Sequence, residues 1–269
     1  MWTRFIDAHL HLQDSRYGDQ VDLVIDKARK SGVCSMFCNA SKEKDWPIIL
    51  DLSAQYPWII PFLGIHPWYA QTTTKDWETR LYDSLSLCEY GAGIGETGLD
   101  KARPQEFEQQ IALLEVHLDI ALDLGLPVSL HCVRCWGKLI EILERRAALY
   151  KLPTVMIHSF NGSLESMKRL TRLGCYISFS SWIADPEHIK LRETFLETPL
   201  ELVLLETDAP DQINPALADQ EDLITSYNEP TLITAIYRAA AYQRGLHIEN
   251  FAEQIWQNAT VFANRALIR

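Results

Sequence analysis

The sequence predicts an α/β fold of one particular form, a single (β/α)8 TIM-type barrel, and three observations predict it. Short apolar runs alternate with longer amphipathic stretches along the chain, as strands of a parallel sheet alternate with the helices that cover it. There are eight such runs. The conspicuous polar residues follow the runs' C-terminal ends, where a barrel gathers them into one mouth and an open sheet spreads them apart.

The predicted strands are residues 5–9, 33–39, 59–65, 92–95, 127–130, 154–157, 176–179 and 202–205. The first helix follows Asp19 and ends at Gly32. The clearest helix starts near Pro104, runs through FEQQIALLEVHLDIALDLG and stops at Gly125, because proline suits the first turn and glycine the left-handed position past the last. Ser163 is placed to cap LESMKRLTRL before Gly174. No linker, low-complexity tract or repeat divides residues 1–269, so one barrel domain is expected, and 47% hydrophobic content supplies a core for it.

Composition narrows the function. No run approaches the roughly 18 apolar residues of a membrane helix, and MWTRFIDAHLHL lacks a signal-peptide core. A cytoplasmic protein without an obligate protein partner is expected. The six cysteines are dispersed and read as reduced thiols. A net charge of −11 disfavours binding a long duplex through a basic face. Small phosphorylated or single-stranded substrates stay compatible if metal ions supply the positive charge.

His9 and His11 form H-x-H on an extended segment, so both point to one side and can share a metal ion. Alone, this pair is more often a plain surface feature; its weight comes from the rest. Glu96 lies in GIGETGLD, where a carboxylate after apolar residues would be buried without a cation unless it bridges metals. His131 closes LPVSLH and His158 closes PTVMIH. Each alone reads as a core histidine, but two facing one mouth read as ligands. Asp208, in LVLLETDAP, can ligate a metal and take a proton from water. The set divides into His9, His11, Glu96 and Asp208 around one ion and Glu96, His131 and His158 around another. Two divalent ions are expected, Zn, Mn or Mg, and the donors do not choose among them.

The strings FIDAHLHL, GIHPW, GIGETGLD, LPVSLH, HSFNGS and LLETDAP, followed by Asn228, Glu229 and Pro230, span nearly the whole chain. In that order they resemble the TatD family of metal-dependent deoxyribonucleases, within the amidohydrolase-like barrels. The resemblance implies the same six ligands, Asp208 and Glu96 as catalytic residues with Asp208 the acid/base, His66 on the substrate phosphate, and phosphodiester bonds of DNA as the substrate class. Arg134 is a second candidate for phosphate, since guanidinium forks onto its oxygens. Two departures stand out. HCVRCW places Arg134 one position later than the family's arginine, which follows the fifth-strand histidine after a single intervening residue. The segment before Asn228 carries Asp211, Asp219, Glu221 and Asp222 where basic residues are usual.

Cys132 and Cys135 form C-x-x-C without a second pair at zinc spacing and read as structural. Trp68, Phe160 and Trp182 either ring the mouth as base-stacking surfaces or pack beneath its loops. His117, His188 and His247 read as structural or solvated. Hydrolysis of a phosphodiester, in DNA or a small molecule, is the leading expectation. A non-nucleic-acid ester or amide, favoured by the acidic segment, is the alternative. A non-catalytic metal-stabilised scaffold ranks last, since all six ligands are present.

Overall fold

A computed structural model describes residues 3–89, 91–103, 106–149, 152–217 and 227–264. Eight strands lie side by side, all parallel, in sequence order. They are β1 (Phe5–Leu10), β2 (Val33–Asn39), β3 (Ile59–Leu63), β4 (Gly93–Asp100), β5 (Val128–Val133), β6 (Val155–Ile157), β7 (Tyr176–Phe179) and β8 (Val203–Leu205). Between them run α1 (Val21–Lys30), α2 (Trp46–Gln55), α3 (Trp77–Ser86), α4 (Phe107–Leu124), α5 (Trp136–Leu149), α6 (Leu164–Arg172) and α7 (Ile189–Glu197), with α8 (Ile233–Arg244) and α9 (Ile248–Phe262) after the last strand.

The barrel closes just beyond β8. The Asp208 N–H donates to the His9 carbonyl at 3.0 Å, and the His11 N–H donates to that of Ala209 at 2.7 Å. Asp7, fully buried, adds a side-chain stitch, accepting from the backbone N–H of Thr207 at 2.9 Å and from its hydroxyl. At the other end Phe262 of α9 meets Phe37 of β2, Phe62 of β3 and Tyr176 of β7, with ring centroids 5.8, 5.9 and 5.5 Å away. Strands from opposite sides of a barrel touch one ring only near its axis, so α9 plugs the floor. The mouth is left as the open end.

Helix ends follow the local chemistry. Ser163 Oγ accepts the Ser166 N–H at 3.1 Å, and Gly125 ends α4 at φ 66°. Pro104 lies outside the described residues. β4 corrects one expectation: it extends through Glu96 to Asp100 and does not end at residue 95. After a register shift between Ile94 and Thr97 the strand pairs with β5 again, Gly98 opposite His131. Gly98 has φ 145°, and a Cβ there would lie 2.1 Å from the His131 carbonyl oxygen, so only glycine lets the two backbones approach.

Candidate metal centre at the barrel mouth

The mouth opens into a cavity of about 550 Å³ whose lining includes His11, His66, Glu96, His131, His158 and Asp208. Glu96 stands at its centre, buried. Its Oε1 lies 2.7 Å from His131 Nδ1 and 2.8 Å from His158 Nε2. Its Oε2 faces the other way, 3.5 Å from Nε2 of both His9 and His11. Beyond that pair, Asp208 Oδ1 is 3.7 Å from His9 Nε2 and 3.5 Å from His11 Nε2. The structure thus brings all six predicted ligands together, with one Glu96 oxygen turned to each group of imidazoles.

Whether these residues suit metal ions can be tested on the nitrogens. His9 Nε2 and His11 Nε2 are 3.3 Å apart; His131 Nδ1 and His158 Nε2 are 3.1 Å apart. Two donors each about 2.1 Å from a shared cation stand about 3.0–3.4 Å apart in octahedral or tetrahedral geometry. Moreover, three of the four imidazoles have the other nitrogen in hydrogen-bond contact from behind, and the fourth, His158, has a carboxylate behind it without a hydrogen bond. His9 Nδ1 meets Ser129 Oγ at 3.0 Å, and His11 Nδ1 meets the Asn39 carbonyl at 2.8 Å. His131 Nε2 faces Asp100 Oδ2 at 3.4 Å, and His158 Nδ1 faces Glu206 Oε1 at 3.5 Å. Backing of this kind fixes a ring's tautomer and aims its free nitrogen at a cation. The donor set fits.

Electrostatics agree. Burial pushes Glu96 upward, but His158 and His66, with hydrogen bonds from His131 and His158, outweigh it and hold the carboxyl well below its ordinary range. Burial likewise opposes ionisation of Asp208, yet the His11 hydrogen bond and the nearby imidazoles bring its pKa down to about 2. Both carboxylates are anions at neutral pH. His66 differs from the four: its Nδ1 accepts the Trp68 backbone N–H at 3.1 Å, so a neutral ring carries its proton on Nε2. Burial first, with only partial opposition from Glu96, lowers its pKa to about 3. Although His66 Nε2 converges geometrically with Glu96 and His131, a neutral ring protonated there is a donor, not a ligand. That N–H, 3.5 Å from Glu96 Oε1, borders the cavity.

The loops holding these groups adopt costly backbone conformations. Arg134, Ser159, Asp208 and Gln212 all have positive φ, between 44° and 58°, a state that for residues other than glycine clusters at functional sites. Gln212 Nε2 donates to Asp208 Oδ2 at 2.5 Å and to Ser159 Oγ at 2.6 Å, fixing the carboxylate's second oxygen. Asn228 donates to the carbonyls of Thr207 at 2.9 Å and Asp211 at 3.0 Å, so the Asn-Glu-Pro stretch pins the loop that carries Asp208.

The remaining sequence candidates are placed as follows. Arg134 is exposed and does not line the cavity. Arg16 does line it, held 2.9 Å from Asp14 and 2.8 Å from Asp211. Of the acidic segment, Asp211 borders the cavity, while Asp219, Glu221 and Asp222 lie outside the described residues. Trp68 is at the mouth, Phe160 is buried against Trp136, and Trp182 stands against His188 beside a separate cavity. Cys132 and Cys135 are buried free thiols. Sequence reasoning missed Asp100, Glu206, Arg16 and Gln212. The first two sat inside quoted strings, GIGETGLD and LLETDAP, as carboxylates beside a ligand-bearing segment; the other two are loop residues without a signal.

Known proteins share this architecture. The family model described as TatD related DNase matches residues 6–264. A 3'-5' ssDNA/RNA exonuclease TatD of Pantoea ananatis is 30% identical over 259 residues, covering 94% of this chain and 96% of that protein. An uncharacterized metal-dependent hydrolase, YjjV of Escherichia coli, is 32% identical over 214 residues, covering 78% and 81%. The crystal structure of YjjV, described as a TatD homolog, superposes with a TM-score of 0.88 at 28% identity, covering 98% of this chain and 99% of that one.

Proposed function

We propose a function from the premise that this chain belongs to the TatD related DNase family: it is a metal-dependent hydrolase that cleaves phosphodiester bonds, single-stranded nucleic acid being the substrate class, with two divalent ions. The observation that carries this reading is Glu96, whose two oxygens each face a separate pair of imidazoles. His9, His11 and Asp208 would hold one ion, His131 and His158 the other, and Glu96 would join them. When bound, such ions supply Lewis-acid polarisation of a phosphoryl oxygen and a water nucleophile at neutral pH.

The chain's own residues do the rest. The His66 Nε2–H, at the edge of the cavity, would donate to a non-bridging phosphate oxygen. Asp208, with Oδ2 fixed by Gln212 and Oδ1 turned into the cavity, accepts the proton of the attacking water. Glu206 and Asp100 hold His158 and His131 in orientation. A second reading, hydrolysis of a small ester, draws on Asp14 and Asp211 in the cavity wall, which repel a polyanion on that side. The deciding experiment is metal analysis together with rates on single-stranded oligonucleotides and on bis-p-nitrophenyl phosphate. About two ions per chain and cleavage of both substrates are expected. Turnover of small esters without DNA cleavage supports the second reading.

A further inference from the structure

The walls of the mouth carry opposite charge on opposite sides. Where the β8 and β1 loops meet, the cavity is lined by Asp14, Arg16 and Asp211. Arg16 is engaged by both aspartates, so this wall holds one carboxylate in excess, and its cation reaches a phosphate only by leaving its partners. Facing the loops after β2, β3 and β4, the wall is Ser41, His66, Trp68 and Tyr69. Two cations lie over those rings: the Lys42 ammonium is 5.3 Å from the Tyr69 centroid and the Arg103 guanidinium 4.5 Å from the Trp68 ring. Neither cation forms an ion pair among the described residues.

Trp68 is 43% exposed, whereas His66 two positions earlier is 6% exposed. Its indole N–H donates to Asp100 Oδ2 at 2.6 Å, and that carboxylate also backs His131. The ring is therefore held at a fixed angle beside the candidate metal centre. A held, solvent-facing aromatic surface with cations on it suits a chain that alternates planar bases with phosphates.

We propose that Lys42, Trp68, Tyr69 and Arg103 form the track by which a single strand of nucleic acid reaches the site. The base next to the scissile phosphate stacks on Trp68 and the Arg103 guanidinium, and Lys42 and Arg103 meet flanking phosphates. This rests on the phosphodiesterase reading and adds a direction: the strand lies over the β2–β4 loops, away from Asp14 and Asp211. It also gives the single-strand preference of that reading a physical cause, because the second backbone of a duplex would fall over the acidic wall.

The test compares the metal-loaded wild type with Trp68→Ala, Lys42→Glu, Arg103→Glu and, as a control on α6, Lys168→Ala. Rates are measured on a labelled 12-mer single strand, its duplex and bis-p-nitrophenyl phosphate across a salt series. In the three track variants the ratio of kcat/KM for the 12-mer to that for the small diester falls about tenfold, mainly through KM. In the two charge variants the dependence of log kcat/KM on log salt flattens by about 0.7 for each phosphate that the side chain no longer neutralises. Lys168→Ala changes neither quantity, and the wild type prefers the single strand to the duplex. An unchanged ratio in all three track variants, or equal losses on both substrates, overturns the track while leaving phosphodiester cleavage in place. A wild type that hydrolyses neither DNA nor the small diester overturns the functional reading itself.

Discussion

Two histidines of this protein are both buried and behave in opposite ways. His117, on α4, has Nδ1 against the Leu113 carbonyl at 2.8 Å and its ring stacked on Trp77 with centroids 4.9 Å apart, while Nε2 has no partner. Burial, the larger influence, drives its pKa down to about 4. His158, beyond β6, feels the same burial, but Glu96 and Glu206 overcome it and hold the imidazole well above its usual pKa. Hence burial alone does not set how a histidine titrates here; carboxylates on both sides of the ring do. At His158 one carboxylate, Glu96, lies 2.8 Å from Nε2 and the other, Glu206, 3.5 Å from Nδ1. In His117 there is neither, and a neutral ring simply packs.

The largest effect comes from breaking the His158 environment at its centre. Glu96→Ala removes the group facing both imidazole pairs, and kcat falls on the order of 10³-fold, with bound metal dropping below one ion per chain. Elemental analysis with steady-state rates checks this, and full turnover in the variant would sink the two-ion assignment. Glu206→Gln makes His158 more like His117 without touching the cavity; metal affinity weakens about 10- to 100-fold by calorimetric titration. Asp100→Asn loosens His131 in the same way, and a loss of about tenfold is expected, since Glu96 still holds the other nitrogen at 2.7 Å.

The smallest effect on turnover and the sharpest on stability belong to His117. Its folded pKa of about 4 lies below the ordinary 6.5, so the unfolded chain binds a proton that the folded one refuses. Stability is complete above pH 6.5 and is lost as pH falls from there toward 4, by about 3 kcal/mol in all. His117→Phe keeps the stack on Trp77 and removes this loss, while kcat at pH 7.5 is unchanged. Urea midpoints at pH 7.5 and 5.0 for the two proteins measure it; parallel midpoints would show that the imidazole titrates normally inside the fold.

The same contrast explains how much was legible. Strand periodicity and the turn chemistry of Gly125 and Ser163 are local, so eight strands and three of the helices between them could be read directly. His9, His11, Glu96, His131, His158 and Asp208 could be read as a set because each interrupts an apolar run, a local anomaly repeated at strand after strand. Asp100 and Glu206 were visible as letters but not as partners, since their meaning depends on which imidazole they face across the sheet. Arg16 and Gln212 gave no signal at all: one is committed by aspartates from two different loops, the other by Ser159 and Asp208. The extension of β4 past Glu96 was hidden for a related reason, as it depends on Gly98 meeting β5 at His131.

The stitch between Asp7 and Thr207 joins residues 200 positions apart. A ribosome adding 5–20 residues per second needs about 10–40 s to cover that distance. Throughout that interval the opening strand of the nascent chain has one hydrogen-bonding edge without its native neighbour, the kind of edge that recruits foreign strands. Newly made protein therefore passes through a stage at which chaperones or aggregation can intervene, and that stage ends only with arrival of the segment that also carries Glu206 and Asp208. Sealing the sheet and completing the candidate centre are thus one event in the life of the chain.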